Sequence, residues 1–192
     1  GLRCRFCQQN AILDPGTIAG VAALEPLRSD PRYETLAARF RNRCEQAEYR
    51  ALDFWIGEWE AFGLKGAKAG DSKISVILDS CVILEEWTSA NAQQGLIYTG
   101  KSFNSYNAAT RQWQQTWADN TGNTTEFLRG EGSDGKIIYY ADKVTGPKGE
   151  VFMRRLSFTK LSADKVRQLG EKSDDAGKTW VVEYDLEYRR KK

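Results

Sequence analysis

The chain has 192 residues, 41% of them apolar and 28% charged, which suits one globular domain with an extension and excludes a disordered chain. The net charge of +2 is unevenly spread: residues 1–50 hold eight Arg, no Lys and six acids, while the remainder balances 20 bases with 20 acids and so carries no electrostatic footprint for nucleic acid. Histidine is absent, which removes Ser-His-Asp and Cys-His catalysis, His-based metal sites and the usual general base near neutral pH.

In chain order, residues 1–30 give few signals. Asp14-Pro15-Gly16 marks a turn, and Ile18 to Leu27 could form a short helix ending near Pro26. Cys4-x-x-Cys7 has metal or redox spacing but supplies half of the four ligands that a structural zinc takes. Cys44 and Cys81 stand apart from it, so neither a metal nor another cofactor is expected. Asp30 suits an N-cap, Pro31 the first helical position and Glu34 the first turn. Tyr33, Leu36, Ala37, Phe40, Cys44 and Ala47 recur at helical spacing, which predicts a helix over about 31–50.

From residue 53 the hydrophobic period changes to two. Strands are predicted at about 53–62, 73–87, 95–104, 110–119, 124–130, 136–144, 150–159, 165–172 and 178–189, with a bend or break near Asp79-Ser80. Turn residues separate them: Gly66 to Gly70, Asn104 to Ala109, Asn120 to Asn123, Ser133 to Gly135, Gly146 to Gly149 and Asp174 to Gly177. No run approaches the ~18 apolar residues of a membrane span. The expected class is mainly β: an antiparallel up-and-down barrel of about 8–10 strands over residues 51–192, preceded by an N-terminal extension over 1–50.

Alternation assigns faces. Trp180, Val182, Tyr184, Leu186 and Tyr188 share one face of the last strand, and Arg190 follows them inward. Trp55, Gly57 and Trp59 share a face of the first strand. Barrel closure brings these strands together and sets Arg190 over Trp59 as a cation–π pair.

The Gly57-x-Trp59 motif capped by Arg190, with Arg189 the alternative if the register slips, resembles the calycin superfamily of lipocalins and fatty-acid-binding proteins. Asp53-Phe54-Trp55-Ile56-Gly57-Glu58-Trp59, Gln112 to Asp119 and Ser173-x-Asp175-x-Gly177-x-Thr179-Trp180 together resemble an uncharacterised bacterial family of lipocalin-like barrels. That resemblance implies a barrel with an interior cavity and no particular activity. Leu27 to Leu36 resembles the closing segment of bacterial tetratricopeptide-type arrays, which implies a helical-repeat scaffold as a partner; a helix packed on the barrel as lid or plug is the other reading. Ser173 to Trp180 also fits the Asp-box of sialidase-type propellers. A single copy reads as a turn device, in which Ser and Asp side chains bond backbone, Gly takes a positive φ and Trp packs beneath.

Candidate chemistry centres on residues 110–130. With an even-length turn at 120–123, Trp113, Gln115, Trp117 and Asp119 share a face with Thr124, Glu126 and Leu128, and Trp117 lies across from Glu126; an odd-length turn separates them. Phe152, Arg154, Leu156 and Phe158 share another face, where Arg154 could meet Glu126, a ligand carboxylate or the rim. One of Tyr139 and Tyr140 points inward, and Tyr98 and Tyr184 are similar candidates. The favoured reading is a module that binds a small, partly apolar molecule through Trp113, Gln115, Trp117, Glu126, Tyr139 and Arg154. The alternative is a cofactor-free hydrolase or lyase/isomerase, with Glu126 and Asp119 as acid and base and a carbohydrate as a candidate substrate, since indole faces stack on sugar rings. Glu85-Glu86, next to Trp87, is a further carboxylate candidate. The chain is expected in the cytoplasm or periplasm.

Overall fold

The computed structural model describes residues 26–35, 43–93, 95–133, 135–146 and 148–192. The chain divides into two compact units, Gly1–Arg43 and Cys44–Lys192. In the first, residues 31–35 are helical and the Asp30 carboxylate accepts the Arg32 N–H at 2.9 Å, as an N-cap does. Cys4, Cys7, the short helix expected before Leu27 and the predicted helix over 36–42 lie outside the described residues.

The second unit is a closed barrel of ten antiparallel strands. These are β1 (Gly57–Gly63), β2 (Lys68–Ile77), β3 (Val82–Gln93), β4 (Leu96–Asn107), β5 (Gln112–Asp119), β6 (Thr124–Ser133), β7 (Lys136–Thr145), β8 (Val151–Ser162), β9 (Lys165–Ser173) and β10 (Val181–Arg190). Each strand pairs with its sequence neighbours, and β1 closes on β10. The alternation and turn chemistry read from the sequence therefore organise the sheet. The long run over 73–87 breaks where expected, because Leu78, Asp79 and Ser80 all take positive φ, a conformation that costs about 1 kcal/mol or more for each residue with a side chain. That turn is held by the Cys44–Cys81 disulfide and by the Arg50 guanidinium, which donates to the Ser80 carbonyl.

Residues 43–55 differ from the predicted continuous helix and strand. Arg43–Glu45, Ala47–Arg50 and Asp53–Trp55 are separate 3-10 turns. Gln46 is extended, with φ −67° and ψ 152°, and so interrupts any α-helix. Trp55 leaves the β1 line because its N–H bonds the Leu52 carbonyl at 3.0 Å. Leu52, Trp55 and Trp59 are fully buried in one cluster with Ile83, Ile137, Tyr139, Phe158 and Tyr188. The Trp55 and Phe158 ring centroids are 4.2 Å apart. The Trp113 indole donates to the Glu48 carbonyl at 3.0 Å and ties this segment to the wall.

At the seam, Trp59 pairs with Arg190, whose guanidinium carbon lies 4.2 Å from the Trp59 ring centroid. Arg190 also donates to the Ile56 carbonyl at 3.0 Å. Gly57 has φ +137°, and a Cβ there would overlap Arg190, so both backbone and space call for glycine. Elsewhere a ring covers a glycine across the strands: Trp87 over Gly70, Trp117 over Gly100, Tyr139 over Gly130 and Tyr184 over Gly170. Such pairs let a sheet curve while a neighbouring aromatic restores the lost packing.

The outer wall is laced with ion pairs, including Lys101–Glu86, Arg129–Asp142 and Arg167–Asp185. A barrel facing lipid presents an apolar band at these positions instead. Among the described residues, no helix is long and apolar enough to cross a membrane.

Candidate functional site

Away from the packed end, the barrel holds a cavity of about 930 Å³. Its walls include Trp87, Tyr98, Trp117, Phe127, Phe152, Leu156, Tyr184 and Leu186. Asp119, Asn123, Thr124, Thr145 and Glu183 line it as well. Apolar walls with a few placed polar groups are the usual form of a small-molecule site.

The floor is a connected polar network, and Glu85 is its centre. Glu85 is 2% exposed, and its carboxyl receives Ser72 Oγ at 2.9 Å, Ser102 Oγ at 3.0 Å and the Tyr188 hydroxyl at 3.2 Å. The Tyr188 hydroxyl also lies 2.7 Å from Gln168 Oε1, so its one proton serves either this oxygen or Glu85. Asn104 Nδ2 donates to Ser102 Oγ at 2.9 Å, while Asn104 Oδ1 accepts Gln115 Nε2 at 2.8 Å and the Tyr139 hydroxyl at 3.2 Å. Burial pushes the Glu85 carboxyl up to about 7, against the opposing pull of the Ser72, Ser102 and Tyr188 hydrogen bonds. Register explains the convergence: Ser72 sits on β2, Glu85 on β3 and Ser102 on β4, with Glu85 directly opposite Ser102.

A second cluster surrounds Asp119. The Tyr98 hydroxyl and the Trp117 indole donate to Asp119 Oδ2 at 3.0 and 3.2 Å, and the Thr121 N–H donates to Oδ1 at 2.9 Å. Burial opposes ionisation of Asp119, but the hydrogen bonds from Thr121, Tyr98 and Trp117 outweigh it and hold the group below its ordinary value. Burial, then the neighbouring Asp119, lifts Tyr98 to about 12. Asp119 is thus a charged anchor for the turn and the indole.

Of the six residues read as ligand-binding, Gln115, Trp117 and Arg154 line the cavity. Trp113 and Tyr139 are buried in the packed core, 3% and 0% exposed. Glu126 is exposed, on the outer wall. The cause is turn length: the Asp119 N–H bonds the Asn123 carbonyl, which leaves three residues between them, and Thr125 rather than Glu126 pairs with Trp117. The expected acid–base pair, Glu126 with Asp119, therefore falls on two sides of the wall. Arg154 does not meet Glu126; it makes a two-pronged ion pair with Glu183, at 2.8 and 2.9 Å.

Glu183 reaches that position because a bulge between Val182 and Tyr184 shifts the β9–β10 register. The same bulge reverses the expected inner face beyond it. Tyr184 pairs with Gly170 on the cavity side, whereas Val182 is 53% exposed and Trp180 packs beneath Arg155, its ring centroid 4.4 Å from the guanidinium carbon. The Ser173–Trp180 segment is a turn device: the Gly177 N–H donates to Ser173 Oγ, the Thr179 N–H to Asp175 Oδ1, both at 2.8 Å, and the Trp180 indole to the Gly177 carbonyl at 3.1 Å. The adjacent acids Glu85 and Glu86 split across the sheet, Glu85 to the floor and Glu86 to Lys101 outside. The signal for Glu85 was present in the sequence: it alternates between Ile83 and Trp87 on an otherwise inward face.

These features define the class as a closed ten-stranded antiparallel barrel, packed at one end and hollow towards the other. No family model and no curated protein matches the chain. Among solved structures it is similar to a de novo designed fluorescence-activating β-barrel, at 14% identity over 73% of this chain and 97% of that one, TM-score 0.39. It is likewise similar to a redesigned β-barrel, at 12% identity over 74% of this chain and 96% of that one, TM-score 0.37.

Proposed function

We propose that the barrel binds a small, partly apolar molecule in its cavity. The observation that carries this reading is the hollow of about 930 Å³ with aromatic walls and a polar floor, set beside an end that is fully packed. A barrel evolved only as a scaffold would gain stability by filling that hollow, since empty apolar volume forfeits dispersion contacts. The seam geometry of Gly57, Trp59 and Arg190 supports a calycin-like ancestry. Gln115, Trp117 and Arg154 are the proposed contacts among the residues picked from sequence, joined by Trp87, Tyr98 and Tyr184.

A cofactor-free acid–base enzyme, a carbohydrate-directed one included, is a second reading; it would run through Glu85, the cavity carboxyl that burial poises near neutrality. Attachment to a helical-repeat scaffold through the N-terminal segment is a further proposal, resting on the resemblance of Leu27 to Leu36. Native mass spectrometry of the purified protein, repeated after denaturation, tests the main reading. A small molecule released on denaturation supports it. Retention of no small molecule, together with no 1:1 adduct after incubation with N-phenyl-1-naphthylamine, overturns it.

A further inference from the structure

The hydrogen bonds of the floor run in one direction. Gln115 Nε2 donates to Asn104, Asn104 Nδ2 to Ser102, and Ser102 to Glu85, while Ser72 donates to Glu85 from the other side. An ionised Glu85 therefore has its donors in place. It has no counter-ion: among the described residues no Lys or Arg pairs with it. The three cations that line the cavity are taken up by other acids, Lys68 by Glu60 and Asp71, Arg154 by Glu183 and Arg155 by Glu171. Gln115, 2% exposed, commits its amide nitrogen to Asn104, so its carbonyl oxygen is left as an acceptor on the cavity wall. Gln168, whose oxygen lies 2.7 Å from the Tyr188 hydroxyl, offers the floor's spare N–H.

Above this floor stand the π faces of Trp87, Trp117, Tyr98 and Tyr184. Aromatic faces, a buried carboxyl and an uncommitted carbonyl attract positive charge. They repel a fatty-acid carboxylate, which would meet Glu85 with no free cation between them.

We propose that the cavity takes a monocationic amine carried on an aromatic or apolar body, with the ammonium seated against Glu85 and the body on the wall of Trp87 and Trp117. This rests on the ligand-binding reading above and narrows it to one chemical class.

A pH dependence follows. The groups near Glu85 are Ser72 on β2, Ser102 on β4, and Gln168 and Tyr188 on β9 and β10; Tyr184, Tyr98, Asp119, Arg154 and Glu183 also line the cavity. Burial keeps Tyr188 and Tyr98 protonated between pH 6 and 8, and its hydrogen bonds keep Asp119 charged. Seating an ammonium needs Glu85 ionised, so below about 7 each binding event releases a proton to solvent. Affinity for an amine that stays protonated then falls about tenfold from pH 8 to pH 6.

The test uses three probes of one shape: 2-(1-naphthyl)ethylamine, 2-(1-naphthyl)ethanol and 1-naphthylacetate. Each is titrated calorimetrically into the whole chain at pH 8 and pH 6. The expected result is amine binding about tenfold tighter than alcohol at pH 8, acetate weakest, and the amine preference lost at pH 6. In Glu85→Gln the amine and alcohol bind alike at both pH values. The wild-type pH comparison decides the matter without that variant should it fold poorly. Equal binding of amine and alcohol to the wild type at pH 8, or an amine preference that persists at pH 6, overturns the amine proposal and leaves the binding reading standing. Failure of all three probes and of N-phenyl-1-naphthylamine overturns both.

Discussion

The two ends of the barrel use the same strands to opposite effect. At one end, Leu52, Trp55, Trp59 and Phe158 fill the interior, and three 3-10 turns and a disulfide hold the filling in place. At the other, Trp87, Trp117, Tyr98 and Tyr184 stand around a hollow, with their polar atoms or glycine partners fixing each ring on the wall. The contrast shows that aromatic content alone does not distinguish core from site. What differs is whether a neighbouring segment fills the space those rings enclose.

The largest effect that can break this comparison is at the packed end. Trp55→Ala is expected to lower stability by about 3–5 kcal/mol in urea unfolding, since a large buried ring is lost and the cluster collapses only partly. Reduction of the Cys44–Cys81 disulfide should cost about 2–4 kcal/mol in the same assay, because it frees the turn at Leu78–Ser80 and the segment that plugs the barrel. Equal unfolding midpoints with and without dithiothreitol would deny the disulfide that role.

The floor makes a prediction of opposite sign to ordinary carboxylates. Glu85 has a folded value of about 7 against an ordinary 4.5, so the folded state keeps a proton that the unfolded chain has already released. Stability should therefore fall as pH rises from 4.5 to 7, by up to about 3 kcal/mol. Urea midpoints at pH 5 and pH 8 measure this, and Glu85→Gln should flatten the difference. A wild-type slope that survives the substitution would assign the effect to other groups.

The open end gives the smaller effects. Trp117→Ala is expected to weaken N-phenyl-1-naphthylamine binding about tenfold, because the indole is wall rather than core. Glu126→Gln should change neither binding nor stability beyond about 0.5 kcal/mol, as befits an exposed side chain on the outer wall. Probe fluorescence with both variants separates wall from exterior.

Much of the architecture was legible in the sequence. Period-two alternation and turn residues located the strands, and the Gly57-x-Trp59 motif with Arg190 located the seam, because both are local patterns carried by a few side chains. The site was less legible, because it depends on register. One residue in the Asn120–Asn123 turn decides whether Glu126 or Thr125 faces Trp117. A bulge at Val182/Tyr184 turns Glu183 towards Arg154 and Trp180 away from the interior. The Glu85 network spans β2, β3, β4, β5, β7, β9 and β10, and no single segment announces it. The 3-10 turns at 43–50 were misread because Cys44 and Ala47 continue a helical spacing while Gln46 breaks the backbone, and the turn at 53–55 was taken into the first strand because Trp55 continues the alternation of Gly57 and Trp59.

The most direct test of the contrast between a packed and a hollow end is N-phenyl-1-naphthylamine fluorescence with wild type and Thr125→Trp. Thr125 lines the cavity opposite Trp117, so a large ring there narrows the hollow without touching the plug. The account predicts a blue-shifted signal that saturates at one equivalent in the wild type and weakens in a folded Thr125→Trp variant. A signal absent from the wild type, or unchanged in the variant, would contradict it.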